Sequence, residues 1–215
     1  MLRFTLFGFP INIQWPFWLV TALLGGALDA RGTFAVRALL VWIGVVFVSI
    51  ILHELGHALA MRHFGDRRVS ITLHAMGGYT QGSGWRGRNE NIMISAAGPA
   101  ASLLIGSMGW VLFEILPPSS RLITLGFLYW KYVNIVWALV NLLPVIPLDG
   151  GHISAALHGS ERVHAALKLS FYSAIGVAVL CVLVWGQLFT AMFFAMLAWN
   201  NWQVMKHGDE IRWMR

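Results

Sequence analysis

The sequence predicts an all-α polytopic membrane protein of about six transmembrane helices, with a small membrane-associated β-hairpin or re-entrant element. Composition carries the first part of that expectation: 58% of the 215 residues are hydrophobic and only 11% are charged, against about a quarter charged in a soluble domain. Segment length carries the second, because several apolar runs approach the roughly 20 residues that cross a bilayer. The placement of lysine and arginine along the chain carries the third.

In chain order, residues 2–14 are short, partly alternating and interrupted by Gly8 and Pro10, which suits a strand or hairpin at the membrane surface. A first span is expected over 15–28 and a second over 34–61. Residues 69–84 follow, rich in β-branched and glycine residues, with Gly77-Gly78 as a turn signal; they read as a hairpin or re-entrant loop. The third span is expected over 91–116, opening on the small residues from Ser95 to Ser102, which allow close helix approach, and ending at Pro117 and Pro118. The fourth covers about 122–143 and breaks at Pro144 and Pro147, where Gly150-Gly151 are expected to unwind the helix around Asp149. A polar connection with His158, Glu161, Arg162 and His164 leads to two last spans, over 169–185 and 188–204. No soluble domain, long linker or repeat interrupts this layout, so a single domain over 1–215 is expected, with its functional core over about 34–152.

Charge asymmetry supports the layout. With the N-terminus in the cytosol and six alternating spans, eleven basic residues fall on the cytosolic side: Arg3, Arg62, Arg67, Arg68, Arg86, Arg88, Arg162, Lys168, Lys206, Arg212 and Arg215. The opposite side receives Arg31, Arg37 and Arg121, and Lys131 stays inside the fourth span. This positive-inside bias puts both termini in the cytosol. The same reasoning absorbs the formal charge of +6, and nucleic acid is not expected as a partner. Cys181 is the single cysteine, so neither an intramolecular disulfide nor a cysteine-based zinc site can form.

The chemistry concentrates in His53-Glu54-Leu55-Gly56-His57, an H-E-x-x-H signature within the second span. Histidines four residues apart lie one helical turn apart on one face and can share a zinc ion, with the glutamate as general base rather than ligand. Ionisable residues in lipid are costly and point to function. A catalytic zinc needs a third protein ligand and an open position. Asp149 lies at the cytosolic end of the fourth span, at similar depth, and completes a two-histidine, one-carboxylate set; against this stand a plain Asp-Gly turn and His152 as an alternative ligand.

These residues, with Asn141-Leu142-Leu143-Pro144 running into Pro147-Leu148-Asp149-Gly150-Gly151, resemble the site-2 protease family of intramembrane zinc metalloproteases, and the layout resembles its six-span sporulation-type branch. Gly77-Gly78 and Gly98-Pro99 also match the family pattern. The resemblance implies one zinc ion held by His53, His57 and Asp149, Glu54 as the catalytic base, and cleavage of a transmembrane or membrane-associated protein in regulated intramembrane proteolysis. Asn141 and the Gly77-Gly78 strand are the candidate substrate-binding positions: the asparagine toward substrate backbone or oxyanion, the strand edge by β-augmentation.

Expected partners are a membrane-protein substrate and the lipid bilayer, with a regulatory membrane protein or a second copy as further candidates, in the plasma membrane of a prokaryote. A membrane transporter or metal-handling protein is the competing class, because intramembrane His and Asp also mark ion pathways. Matching broken helices in two halves are missing from the pattern, and transport needs no general base. Lys131, expected to snorkel or to pair with Glu114, and His74 are given no role by the sequence alone.

Overall fold

A computed structural model describes residues 1–83, 87–116, 118–159 and 162–207. Arg86, Pro117, Glu161, Arg212 and Arg215, named above as charges or boundaries, lie outside the described residues. Four strands and seven helices follow in the order β1 (Leu2–Leu6), β2 (Phe9–Ile13), α1 (Trp15–Leu24), α2 (Gly32–His63), β3 (Ser70–His74), β4 (Gly77–Gln81), α3 (Arg88–Ile115), α4 (Arg121–Asn141), α5 (Asp149–His158), α6 (Val163–Leu183) and α7 (Leu188–His207). The described residues fall into two compact units, one within 1–84 and 97–139, the other within 85–96 and 140–215.

The first unit is built on a sheet of order β1-β2-β3-β4. The segments expected as a strand or hairpin (2–14) and as a hairpin or re-entrant loop (69–84) are both hairpins, and they join through a parallel pairing of β2 with β3, Ile11 opposite Ile71 and Ile13 opposite Leu73. Alternation explains the face: Phe9, Ile11 and Ile13 are buried while Pro10 is exposed. The turn of the second hairpin falls on Ala75 and Met76, so Gly77 and Gly78 are not the turn but the start of β4, paired with His74 and Leu73. Gly77 has a φ of 120°, which a residue with a side chain rarely adopts.

Four helices, α2, α3, α4 and α6, are long and apolar enough to cross a membrane by length and composition. The first expected span is shorter than read: α1 has ten residues, or about 15 Å at 1.5 Å per residue, half a hydrocarbon core. It packs beside α2 instead, where Trp42 Nε1 donates to the Thr21 carbonyl at 3.0 Å. On α2 and α4, Asn134 is fully buried and donates to Ser49 Oγ at 2.9 Å and to the Trp130 carbonyl at 2.8 Å. Lys131 does not answer to Glu114 directly: its ammonium lies 4.0 Å from the centre of the Trp110 ring, and Trp110 Nε1 donates to Glu114.

The second unit corrects the reading of Asp149. The chain leaves α4 at Asn141, turns through 142–148 and starts a separate helix, α5, at Asp149 itself. Gly150 and Gly151 therefore do not unwind a helix; they lie in the first turn of one. Their role is close approach: a Cβ on Gly150 meets the carbonyls of Leu142 and Leu143, and one on Gly151 lies 2.6 Å from Ile146 N. Val145 is fully buried in a cluster with Ala174, Phe194, Leu197 and Ala198, so the loop is seated between α6 and α7. The α7 helix has 20 residues, its apolar run diluted by Asn200, Asn201, Gln203 and Lys206.

Candidate active site

The site is built on the C-terminal half of α2, where His53, Glu54 and His57 are 3%, 4% and 7% exposed. Their burial is not a matter of apolar side chains, so each must be accounted for by polar contacts. The helical spacing stacks the two imidazoles with ring centroids 4.9 Å apart and brings His53 Nε2 to 3.2 Å from His57 Nε2. On the far side of the first ring, His53 Nδ1 lies 3.0 Å from Ser102 Oγ on α3. With Nδ1–H donating to that hydroxyl, Nε2 is left as the basic nitrogen, the arrangement expected of a metal-ligating histidine.

The donor set fits zinc. At a Zn–N distance of about 2.0–2.1 Å and a tetrahedral angle, two ligand nitrogens stand about 3.3 Å apart, and the observed separation is 3.2 Å. The backbone of α3 leaves that space open only because residue 98 is glycine: a Cβ there would fall on His57 Nε2 and within 2.8 Å of His53 Nε2.

Glu54 points elsewhere, toward β4. Its Oε2 accepts from Thr80 Oγ1 at 2.7 Å, and the same hydroxyl lies 3.1 Å from the Glu54 carbonyl. Gly78 faces the carboxylate so closely that a Cβ would sit 2.6 Å from Glu54 Cγ and 2.7 Å from Oε1. Glu54 is thus clamped between its own helix and a strand. His74, outside the helices, has its pKa lowered by burial, with Glu54 acting in the opposite direction.

The remaining expected residues lie in the second unit. Asp149 opens α5, where the positive end of the helix dipole favours a carboxylate. Asn141 closes α4 and is 9% exposed. His152, one turn into α5, donates its backbone N–H to the Leu148 carbonyl at 3.1 Å.

Two polar residues escaped the sequence reading, Ser102 and Thr80. Each is a single hydroxyl on a distant element, and neither belongs to a spaced pattern.

Comparison with known proteins gives the family and the fold. A Peptidase M50B-like family model matches residues 30–129, and a Peptidase family M50 model matches residues 118–184. The solved structure of a site-2 protease from Methanocaldococcus jannaschii superimposes with a TM-score of 0.64 at 24% identity, over 95% of each chain. The chain belongs to the site-2 protease family. Among curated relatives, Rip3 of Mycobacterium tuberculosis is 31% identical over 213 residues, 89% of this chain and 54% of that protein. A zinc metalloprotease of Methanocaldococcus jannaschii is 28% identical over 158 residues, 72% of this chain and 44% of that protein. This site-2 protease family member spans about half the length of the curated relatives it matches. Its apolar helices and its bacterial and archaeal relatives mark it as a membrane protein of prokaryotic type.

Proposed function

We propose that this chain is an intramembrane zinc endopeptidase, with His53, His57 and Asp149 as ligands and Glu54 as general base. The convergence of two imidazole nitrogens at 3.2 Å, with a carboxylate on the same helical turn that accepts a hydrogen bond from Thr80, carries the reading. A zinc ion held there supplies Lewis acidity toward a substrate carbonyl and toward water. Glu54 takes the proton from the attacking water at its carboxylate and returns it to the leaving amine nitrogen. Ser102 keeps the His53 ring in one tautomer, and Thr80 keeps the Glu54 carboxylate in one rotamer.

Substrate is a transmembrane or membrane-associated protein, cut in regulated intramembrane proteolysis. A scissile amide in a helix is hydrogen-bonded and shielded, so the segment has to be extended first. The β4 strand ends the sheet order, and its Gly78 backbone lies against Glu54. An unwound segment added along β4 at Gly77 and Gly78 by β-augmentation has its backbone presented beside the base. Asn141 hydrogen-bonds the substrate backbone or the developing oxyanion. The positive-inside bias supports cytosolic termini, and a single catalytic domain over 1–215 belongs to the same reading.

Purified wild type and Glu54→Gln, each assayed for zinc content and for cleavage of single-span membrane substrates, test this reading. Zinc in both and cleavage only in wild type is the expected result. Wild type that binds no zinc would falsify it.

A further inference from the structure

The loop between α4 and α5 is held at one residue, Ile146, by side chains far along the chain. The Ile146 N–H donates to Ser170 Oγ on α6 at 2.8 Å. The Ile146 carbonyl accepts from Asn201 Nδ2 on α7 at 2.9 Å, and the same amide group donates to the Leu197 carbonyl at 2.8 Å. Ser170 is 1% and Asn201 is 3% exposed, so neither bond faces competition from water. Both backbone groups of one loop residue are thereby bonded from two different helices.

The position of that residue gives the clamp its meaning. Ile146 lies three residues before Asp149, and the intervening chain is stiff. Pro147 has a fixed φ, Leu148 N donates to the Val145 carbonyl at 2.7 Å, and Gly151 packs directly on Ile146 N. Little slack remains between the clamped peptide and the first residue of α5.

We propose that Ser170 and Asn201 are positioning residues for the Asp149 carboxylate. They fix the loop that sets where α5 begins, and so where its first side chain is delivered. The α6 and α7 helices then serve the metal site: a shift of either pulls on the Ile146 peptide. This inference rests on the proposed role of Asp149 as a ligand.

Zinc affinity of the purified full chain, by competition with a chelator, and the melting temperature of the zinc-free protein test it. Outer partners of metal ligands are worth about 10–100-fold in metal affinity, so Ser170→Ala and Asn201→Leu are each expected to weaken zinc binding about ten-fold. In an Asp149→Asn background the same changes are expected to have no further effect on zinc affinity. A drop in melting temperature with zinc affinity unchanged, or an equal loss of affinity in both backgrounds, overturns the proposal and leaves only a packing role. The failure of the underlying reading looks different: Asp149→Asn alone then leaves zinc affinity at the wild-type value. If Ser170→Ala does not fold, Ser170→Cys, which keeps the size with a weaker acceptor, carries the same comparison.

Discussion

The Thr80 hydroxyl lies 2.7 Å from Glu54 Oε2 and 3.1 Å from the carbonyl of the same residue, so a β-strand holds both ends of Glu54. On the proposed role of Glu54 its side-chain torsion matters to proton transfer, because a general base must be within hydrogen-bond reach of the proton it takes. Thr80→Val keeps the shape and removes the bond. A fall in kcat of about ten- to a hundred-fold is expected, the scale of a small misplacement at a reacting centre, with zinc content unchanged. Thr80→Ser is expected to restore most of the rate. Cleavage kinetics beside metal analysis check both.

Ser102 does for His53, a proposed ligand, what Thr80 does for Glu54. Its hydroxyl, 3.0 Å from His53 Nδ1, fixes which imidazole nitrogen is basic. Ser102→Ala is expected to weaken zinc binding about 10–100-fold, read by chelator competition, with cleavage restored at high zinc concentration.

Gly98 makes a sharper test of where the metal sits. Gly98→Ala puts a methyl group on the face shared by the two ring nitrogens and is expected to abolish zinc binding and cleavage together. Ala100→Ser, at an exposed position on the same helix, is expected to preserve both.

His74 sets an acid limit on stability. Burial lowers its pKa from 6.5 while Glu54 partly opposes the change, so the folded state favours neutral imidazole. A group with a lowered folded-state pKa makes the unfolded chain bind more protons, and stability then falls as pH drops below 6.5. The melting temperature of wild type is expected to decline between about pH 7 and pH 5. His74→Gln is expected to flatten that part of the profile, and melting curves across the range measure it.

The sequence reading reached furthest where chemistry follows a local period. His53, Glu54 and His57 announce themselves because four residues make one helical turn, and the apolar flanks say that the turn is buried. The two hairpins were legible from local cues too, partial alternation in 2–14 and β-branched and glycine residues in 69–84. Their union was not: Ile11 pairs with Ile71 across the whole of α2, and nothing in either segment names its partner. Gly77-Gly78 was read as a turn because glycine pairs commonly make turns, but here the closeness of Glu54 to residue 78 takes the place of that explanation. Gly150-Gly151 misled in a similar way, signalling a break where the chain needed room to fold back on Leu142 and Ile146. Ser102, Thr80, Ser170 and Asn201 were invisible for a common reason: one hydroxyl or amide in an apolar helix or short strand carries no periodic signal.

The bond from Asn201 to the Ile146 carbonyl spans 55 residues and runs backwards along the chain. During synthesis the loop ahead of Asp149 emerges long before α7 exists to hold it. Glu54, by contrast, can be seated as soon as residue 80 is out. The two contacts therefore become available at different times, the Thr80 bond to Glu54 first and the Asn201 bond to the loop later. A nascent chain still lacking α7 has Glu54 seated but the 142–148 loop unanchored, so on the proposed reading Asp149 is placed only once α7 has emerged.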